Sequence, residues 1–343
     1  MKRLTCQLVS IVVLSIRPSP DAFLAAEAEK PNRELQQAMQ VLSRQLADAM
    51  LKKDEPQIRS LVAAAKGRLG NLSGVPEVAD EYRRPPDRVA PLSKSEAEAG
   101  FRKLLRFVQA RKWWRVGLDP VKTERLPREV ASVTVGCLAG CRAGVPNRDE
   151  LLREEVEAGD YVLWTQQQAG TGVIPFPAFR GGRNRAFEAA DRFLGRVGET
   201  GRLADVVKDG WVFDDLGDGG LQFDNGLCGV ALFELYEVSK EERFRQGAVA
   251  AADWAIERPC VPNWNYNSFS LYLLAEAFRV TGESKYLEAA GEKARLGVLP
   301  GQLGDGRYKG RWFDPHNARP AYHYIMLRGL TSLYSVLPEN DPL

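Results

Sequence analysis

Apolar residues recur every three or four positions through most of this chain, and strict alternation is scarce. Between residues 33 and 68, Leu35, Met39, Leu42, Leu46, Met50 and Leu51 keep that spacing. It predicts helix, divided in two by Pro56. Further helices are predicted over 94–112, 129–143, 148–168, 184–197, 221–238, 240–257, 266–281, 283–297 and 320–337, with Gly, Pro and Asn in the gaps. "DGWVFDD" is the best short strand candidate. The stretch "SGVPEVADEYRRPPDRVAP", residues 73–91, reads as an extended Pro-rich linker. The expected organisation is therefore a helical hairpin on a loose tether (29–92) followed by one all-α domain (93–343).

An internal repeat sharpens this. "NGLCGVALFELYEVSKEERFRQGAVAAADWA" lies on "NSFSLYLLAEAFRVTGESKYLEAAGEKARLG" at an offset of 42, pairing Asn225 with Asn267, Glu234 with Glu276 and Phe244 with Tyr286. "LRGLTSLYSV" repeats the end of the first helix once more. Helical hairpins of this kind cannot bury their faces alone and must stack on neighbours. Curved into a ring they give an (α/α) toroid with an N-terminal helical extension; left open they give a solenoid. The long loops rich in Trp, Asp, Asn and Gly ahead of the first helix of each unit favour the toroid.

Composition narrows the function classes. A formal net charge of +2 gives no global steering toward nucleic acid. Lys2 and Arg3, an apolar run from Leu4 to Ile16, and Ala22, Ala25, Ala26 and Ala28 read as an export signal over 1–28, which places the protein in a secreted or periplasmic setting. An uncleaved apolar anchor is the alternative; the run is short for a membrane span, and no partner membrane is expected once the signal is removed. Of the five cysteines, Cys137 and Cys141 are four apart on a helix, a poor disulfide geometry, and no zinc spacing occurs. A Cys228–Cys260 bridge and buried thiols are both open for the other pair. No nucleotide, serine-hydrolase or zinc-protease motif is present, and no cofactor is expected.

Candidate chemistry concentrates in segments that precede helices and would line the mouth of a ring. "WTQQQAGTGVIPFPAFRGGRNR" carries Arg180 and Arg183, whose guanidiniums beside glycines suit an anionic polymer. "WVFDDLGDGGLQFDNG" carries Asp214, Asp215 and Asp224; "PNWNYNS" carries Trp264, Asn265 and Asn267. The indole of Trp264 or Trp312 offers an apolar face to a sugar ring, and the amides and carboxylates suit its hydroxyls. Core packing is the alternative for both tryptophans. "WFDPHNARPAYHYIM" holds both histidines of the chain, His316 and His323, with Asn317, Arg319 and Tyr322. Arg and Asn could hold a uronate carboxylate and stabilise the enolate formed beside it, while His or Tyr exchanges a proton. Asp224 joins as a helper. The bland alternative is an ordinary helix start with a capping Asn. Paired Asp residues would instead suit glycoside hydrolysis, and a glycan-binding protein without turnover is a third reading.

"ARPAYHY", residues 318–324, resembles the Ala-Arg-x-x-Tyr-His motif of D-glucuronyl C5-epimerases, and "FDNGLCGVALFELYEVS" resembles the Asn-Gly-led helix of their helical catalytic domain. Polysaccharide lyases with (α/α) toroids use a similar set of Asn, His, Arg and Tyr. The resemblance, which covers about residues 210–337, implies a toroid acting on an acidic, uronate-containing polysaccharide or oligosaccharide by lyase or epimerase chemistry. Tyr322 and Arg319 match the motif's Tyr and Arg. The β-rich N-terminal domain of the epimerases has no counterpart, and Pro320 stands where the motif has an aromatic residue.

Overall fold

The computed structural model describes residues 33–72, 93–110, 127–145, 147–170, 172–174, 207–208, 212–213, 220–304, 309–313, 317 and 320–343. The export signal, the linker 73–91, the helix expected over 184–197, and Arg180, Arg183, Asp214, Asp215, His316 and Arg319 lie outside the described residues.

The described residues form ten α-helices: α1 (Arg33–Leu51), α2 (Glu55–Leu72), α3 (Lys94–Ala110), α4 (Pro127–Ala143), α5 (Arg148–Ala169), α6 (Gly220–Ser239), α7 (Glu242–Ile256), α8 (Trp264–Thr281), α9 (Ser284–Gly297) and α10 (Pro320–Tyr334). The described residues are predominantly helical, as the periodicity predicted, with a short antiparallel pairing of Val207–Lys208 with Val212–Phe213, of which the second strand lies in the predicted strand candidate 209–215.

α4, α6, α8 and α10 pack side by side in one layer, and α5, α7 and α9 pack on them as a second. The first-layer helices run parallel and in register. Arg128 meets Asp224 and Arg142 meets Glu234 between α4 and α6. Ser270 donates to Gln222 Oε1 at 2.9 Å, and Arg279 pairs with Glu237 further along, between α6 and α8. Arg328 donates to the Tyr272 hydroxyl at 3.0 Å, and Ser332 to Glu276 at 2.7 Å, between α8 and α10. α6 is apolar on almost every side because it is covered on every side. The close approach is set by Gly226, where an added Cβ would lie 2.5 Å from the Phe269 carbonyl oxygen.

The sequence repeat has a structural cause. Asn225 accepts from Ile174 N–H at 3.0 Å and donates to the Ala251 carbonyl at 2.9 Å. Its counterpart Asn267 accepts from Val261 N–H at 2.9 Å and donates to the carbonyls of Val261 and Gly297 at 2.7 and 2.8 Å. Each amide ties the preceding loop and the second-layer helix of its unit to the N-terminal half of a first-layer helix. Phe244 and Tyr286, the other matched pair, are both fully buried at the layer interface. Asn267→Ala is expected to destabilise the fold by on the order of 3 kcal/mol, because it strands buried backbone groups; urea unfolding measures it.

The acidic pair of the repeat joins the layer at its other end. Glu234 meets Arg142, Glu276 holds Ser332 and Arg279, and Arg279 also meets Glu237. Burial pushes the Glu234 carboxyl up, against the pull of Arg142. These charges are paired with one another, so the network orders four helices and presents little unsatisfied charge.

The hairpin α1–α2 departs from expectation. It is built into the body. Leu42, Leu46, Ala49, Met50, Ile58 and Val62 share one apolar core with Cys260, Trp264, Leu296, Val298, Trp312 and Met326. Lys53 pairs with Glu292 at 2.8 Å, and Lys66 donates to the Gln302 carbonyl at 2.9 Å. α3 covers the opposite flank, with Phe101 seated over Gly140 of α4. All four described cysteines, Cys137, Cys141, Cys228 and Cys260, are buried free thiols, so the Cys228–Cys260 bridge does not form.

Candidate functional site

Parallel packing in register brings the first turns of α4, α6, α8 and α10 to one end of the layer. Side chains there lean toward the helix N-terminus because the Cα–Cβ bond tilts that way. Two clusters result, and the first turn of α8 contributes to both.

In the first cluster, Arg128 Nε lies 3.3 Å from Asp224 Oδ1. Asp224 is fully buried and neither carboxyl oxygen accepts a hydrogen bond of normal geometry. Burial pushes its carboxyl up to about 7, with Arg128 opposing part of that shift. The Arg128 guanidinium sits 4.9 Å over the Phe223 ring, and its side chain keeps 31% of its surface exposed. The ring of Tyr266 meets Phe223 edge-on, with centroids 6.0 Å apart. A cation, a near-neutral acid and two aromatic rings thus share one end of the helix layer.

The second cluster holds the residues around position 320. Asn265 Nδ2 donates to Asn317 Oδ1 and to Asn263 Oδ1, both at 2.8 Å. Asn317 and Asn265 are buried, and Asn265 Oδ1 is left without a donor. The half-buried His323 ring lies edge-on to Trp312 at 5.4 Å, and its Nδ1 is sealed from solvent without a partner. Burial, then Arg311, lowers the imidazole below its ordinary value, which favours its neutral form. Tyr322 is half-buried at the edge of the core shared with the hairpin.

Four substrate-binding expectations are corrected. Trp264 and Trp312 are core residues, 2% and 1% exposed; the hairpin α1–α2 contributes to the core that covers them, and Trp312 Nε1 donates to the Val298 carbonyl at 2.9 Å. Asn267 is the staple of its repeat unit, and Asn265 is wholly buried in the asparagine cluster. Their polar neighbours in sequence suggested a wet site, but those neighbours satisfy one another. The resemblance-based set is brought together only in part: Asn317 lies in the asparagine cluster, while Tyr322 and His323 stand at the edge of the hairpin core.

Arg128 escaped the sequence reading. Nothing in "PREVAS" marks it, because its partner is nearly a hundred residues away. Tyr266 was legible within "PNWNYNS", although its tryptophan drew the attention. Glu155 also escaped notice. It is fully buried on α5 near Cys137, with no well-formed hydrogen bond to either oxygen; burial pushes it up to about 7, while Thr134 and Cys137 offset part of the shift. Among the described residues no group of His, Cys, Asp and Glu has metal-binding geometry, and no helix is long and apolar enough to cross a membrane. No known protein family, curated protein or solved structure matches the chain.

Proposed function

We propose that this chain is an exported (α/α) toroid that acts on an acidic, uronate-containing glycan at the end where the first-layer helices begin. The observation that carries the reading is the Arg128–Asp224 pair beside the Phe223 and Tyr266 rings. A guanidinium recognises a sugar carboxylate, and aromatic rings pack on the apolar face of a pyranose. The two-layer array of parallel first-layer helices backed by a second row supports the toroid.

Proton abstraction beside the carboxylate is the reaction proposed, as the resemblance of residues 318–324 implies. Arg128 stabilises charge that develops on the carboxylate as the enolate forms. Tyr322 is the candidate from the 320 segment for proton exchange, with Arg319 and His316 beside it in the sequence. Loss of the glycosidic oxygen then cleaves the chain, and return of a proton to the other face epimerises the sugar.

Glycan binding without turnover is the second reading. It is favoured by the sealed Nδ1 of His323 and the full burial of Asp224, which withdraw two proton carriers from direct contact with a ligand.

Incubation with polygalacturonate, alginate and hyaluronan tests the first reading. The expected outcome is new ultraviolet absorbance from unsaturated ends, or deuterium incorporation from solvent without cleavage. Tyr322→Phe is expected to reduce either rate at least ~100-fold. Released reducing ends with no unsaturation would move the assignment to a hydrolase. Binding with neither signal would move it to the second reading.

A further inference from the structure

Asp224 is an unusual residue for the place it occupies. A carboxyl taken out of water is ordinarily hydrogen-bonded or closely paired. Here it is fully buried, takes no hydrogen bond, and its ion-pair partner among the described residues is Arg128, whose side chain remains 31% exposed. A guanidinium offers five donors in a fork that suits a carboxylate held by two of them. The nearest approach, Arg128 Nε to Asp224 Oδ1 at 3.3 Å, is long for a charge-assisted hydrogen bond. Asp224 thus occupies an anion-binding group without making the bidentate contact that group favours.

We infer that Arg128, Asp224, Phe223 and Tyr266 form a proton-linked subsite for a sugar carboxylate, in which the ligand's carboxylate replaces Asp224 on Arg128 and Asp224 takes up a proton from solvent. This rests on the acidic-glycan reading and assigns its residues. The balance is simple. Before binding, the arginine is paired with an aspartate; afterwards, it is paired with the ligand, and the aspartate is a neutral acid. No bond other than one O–H forms. A second ionised carboxylate in the same buried place would be repelled, so the proton must arrive with the ligand.

The surroundings permit this exchange. Arg128 comes from α4, and Cys228, one turn along α6 from Asp224, faces the carboxyl as a buried thiol whose ionisation burial suppresses. Among the described residues no titratable group of α5, α7 or α8 acts on Asp224. Because the carboxyl titrates near neutrality, it is already close to the protonation that binding requires. The Phe223 ring packs against Phe269 and carries the guanidinium, holding Arg128 in place, and the half-buried Tyr266 beside it supplies the apolar surface against which a sugar ring would lie.

Calorimetric titration of the full chain tests the subsite. The probes are a hyaluronan tetrasaccharide and a galacturonate tetrasaccharide, with cellotetraose as the neutral control. Each is titrated in two buffers of different ionisation enthalpy at pH 7.5. A uronate probe is expected to bind with uptake approaching one proton. Its affinity should fall by up to ~10-fold per pH unit above pH 7 and stay level below pH 6. Asp224→Asn is expected to bind without proton uptake and with an affinity independent of pH. Arg128→Met is expected to weaken binding at least ~10-fold. Wild-type binding with no proton uptake, or uptake that persists in Asp224→Asn, overturns the subsite and leaves the acidic-glycan reading standing. Equal binding of cellotetraose, or no binding of either uronate, overturns that reading and the subsite with it. The wild-type proton count decides the matter even if the Asn variant fails to fold.

Discussion

Trp312→Ala is expected to lower stability by ~3–5 kcal/mol, the range for emptying a buried indole site. In a chain of this length that corresponds to a fall in melting temperature of roughly 4–7 °C, measured by circular dichroism. The reason lies in what surrounds the ring. Trp312 is 1% exposed, its Nε1 is bonded to the Val298 carbonyl, and its cluster includes Leu42, Leu46 and Met50 from the hairpin. Truncation opens a cavity and strands a buried carbonyl, and it loosens the join between α1–α2 and the body. The sequence alone left this residue open as a sugar platform. A platform would lose affinity and keep its melting temperature. An unchanged melting temperature with reduced glycan binding would return Trp312 to the site and remove the hairpin's structural role.

The second large effect is a stabilisation. Glu155→Gln is expected to make the protein more stable at pH 8 while changing it little at pH 5. Glu155 is fully buried, and its carboxyl is raised from 4.5 to about 7 chiefly by that burial. A carboxyl raised in the folded state adds stability that is fully present below its unfolded value. That stability is lost as pH rises through the folded value, because the unfolded chain ionises first. The window is therefore pH 4.5 to about 7. The loss across it is on the order of 3 kcal/mol. An amide of the same shape cannot ionise, so the variant should keep what the wild type loses. Asp224, raised from 3.8 to about 7, acts in the same direction, and some pH dependence should therefore remain in Glu155→Gln. Denaturant unfolding at pH 5 and pH 8 reads the difference. Wild-type stability that rises between those values would show that neither carboxyl is held neutral by the fold.

Much of the architecture was legible because helices announce themselves locally. The stretch 221–238 gave α6 within one residue at either end, and the 42-residue offset paired Asn225 with Asn267 before their common task was visible. What could not be read was the solvent state of each polar group. Trp264, Asn265 and Asn267 stand in a segment as polar as many binding loops, yet their partners are Asn317, the Gly297 carbonyl and the hairpin's apolar face, all distant in sequence. Burial depends on what covers a residue, and for these residues the cover includes helices more than 200 positions earlier in the chain.

The same limit applies to the site. Asp224 was a candidate by residue type, but its near-neutral titration arises from burial, and its cation comes from Arg128. Neither has a local signature. By itself the sequence determined the positions of most described helices and the pairing of residues in the hairpin repeat, since helical periodicity acts over a few turns. Tertiary structure alone decided that four helices run parallel with their first turns together, that a hairpin covers two tryptophans, and that one arginine meets one aspartate across helices. Those outcomes depend on long-range packing and desolvation, which local periodicity does not encode.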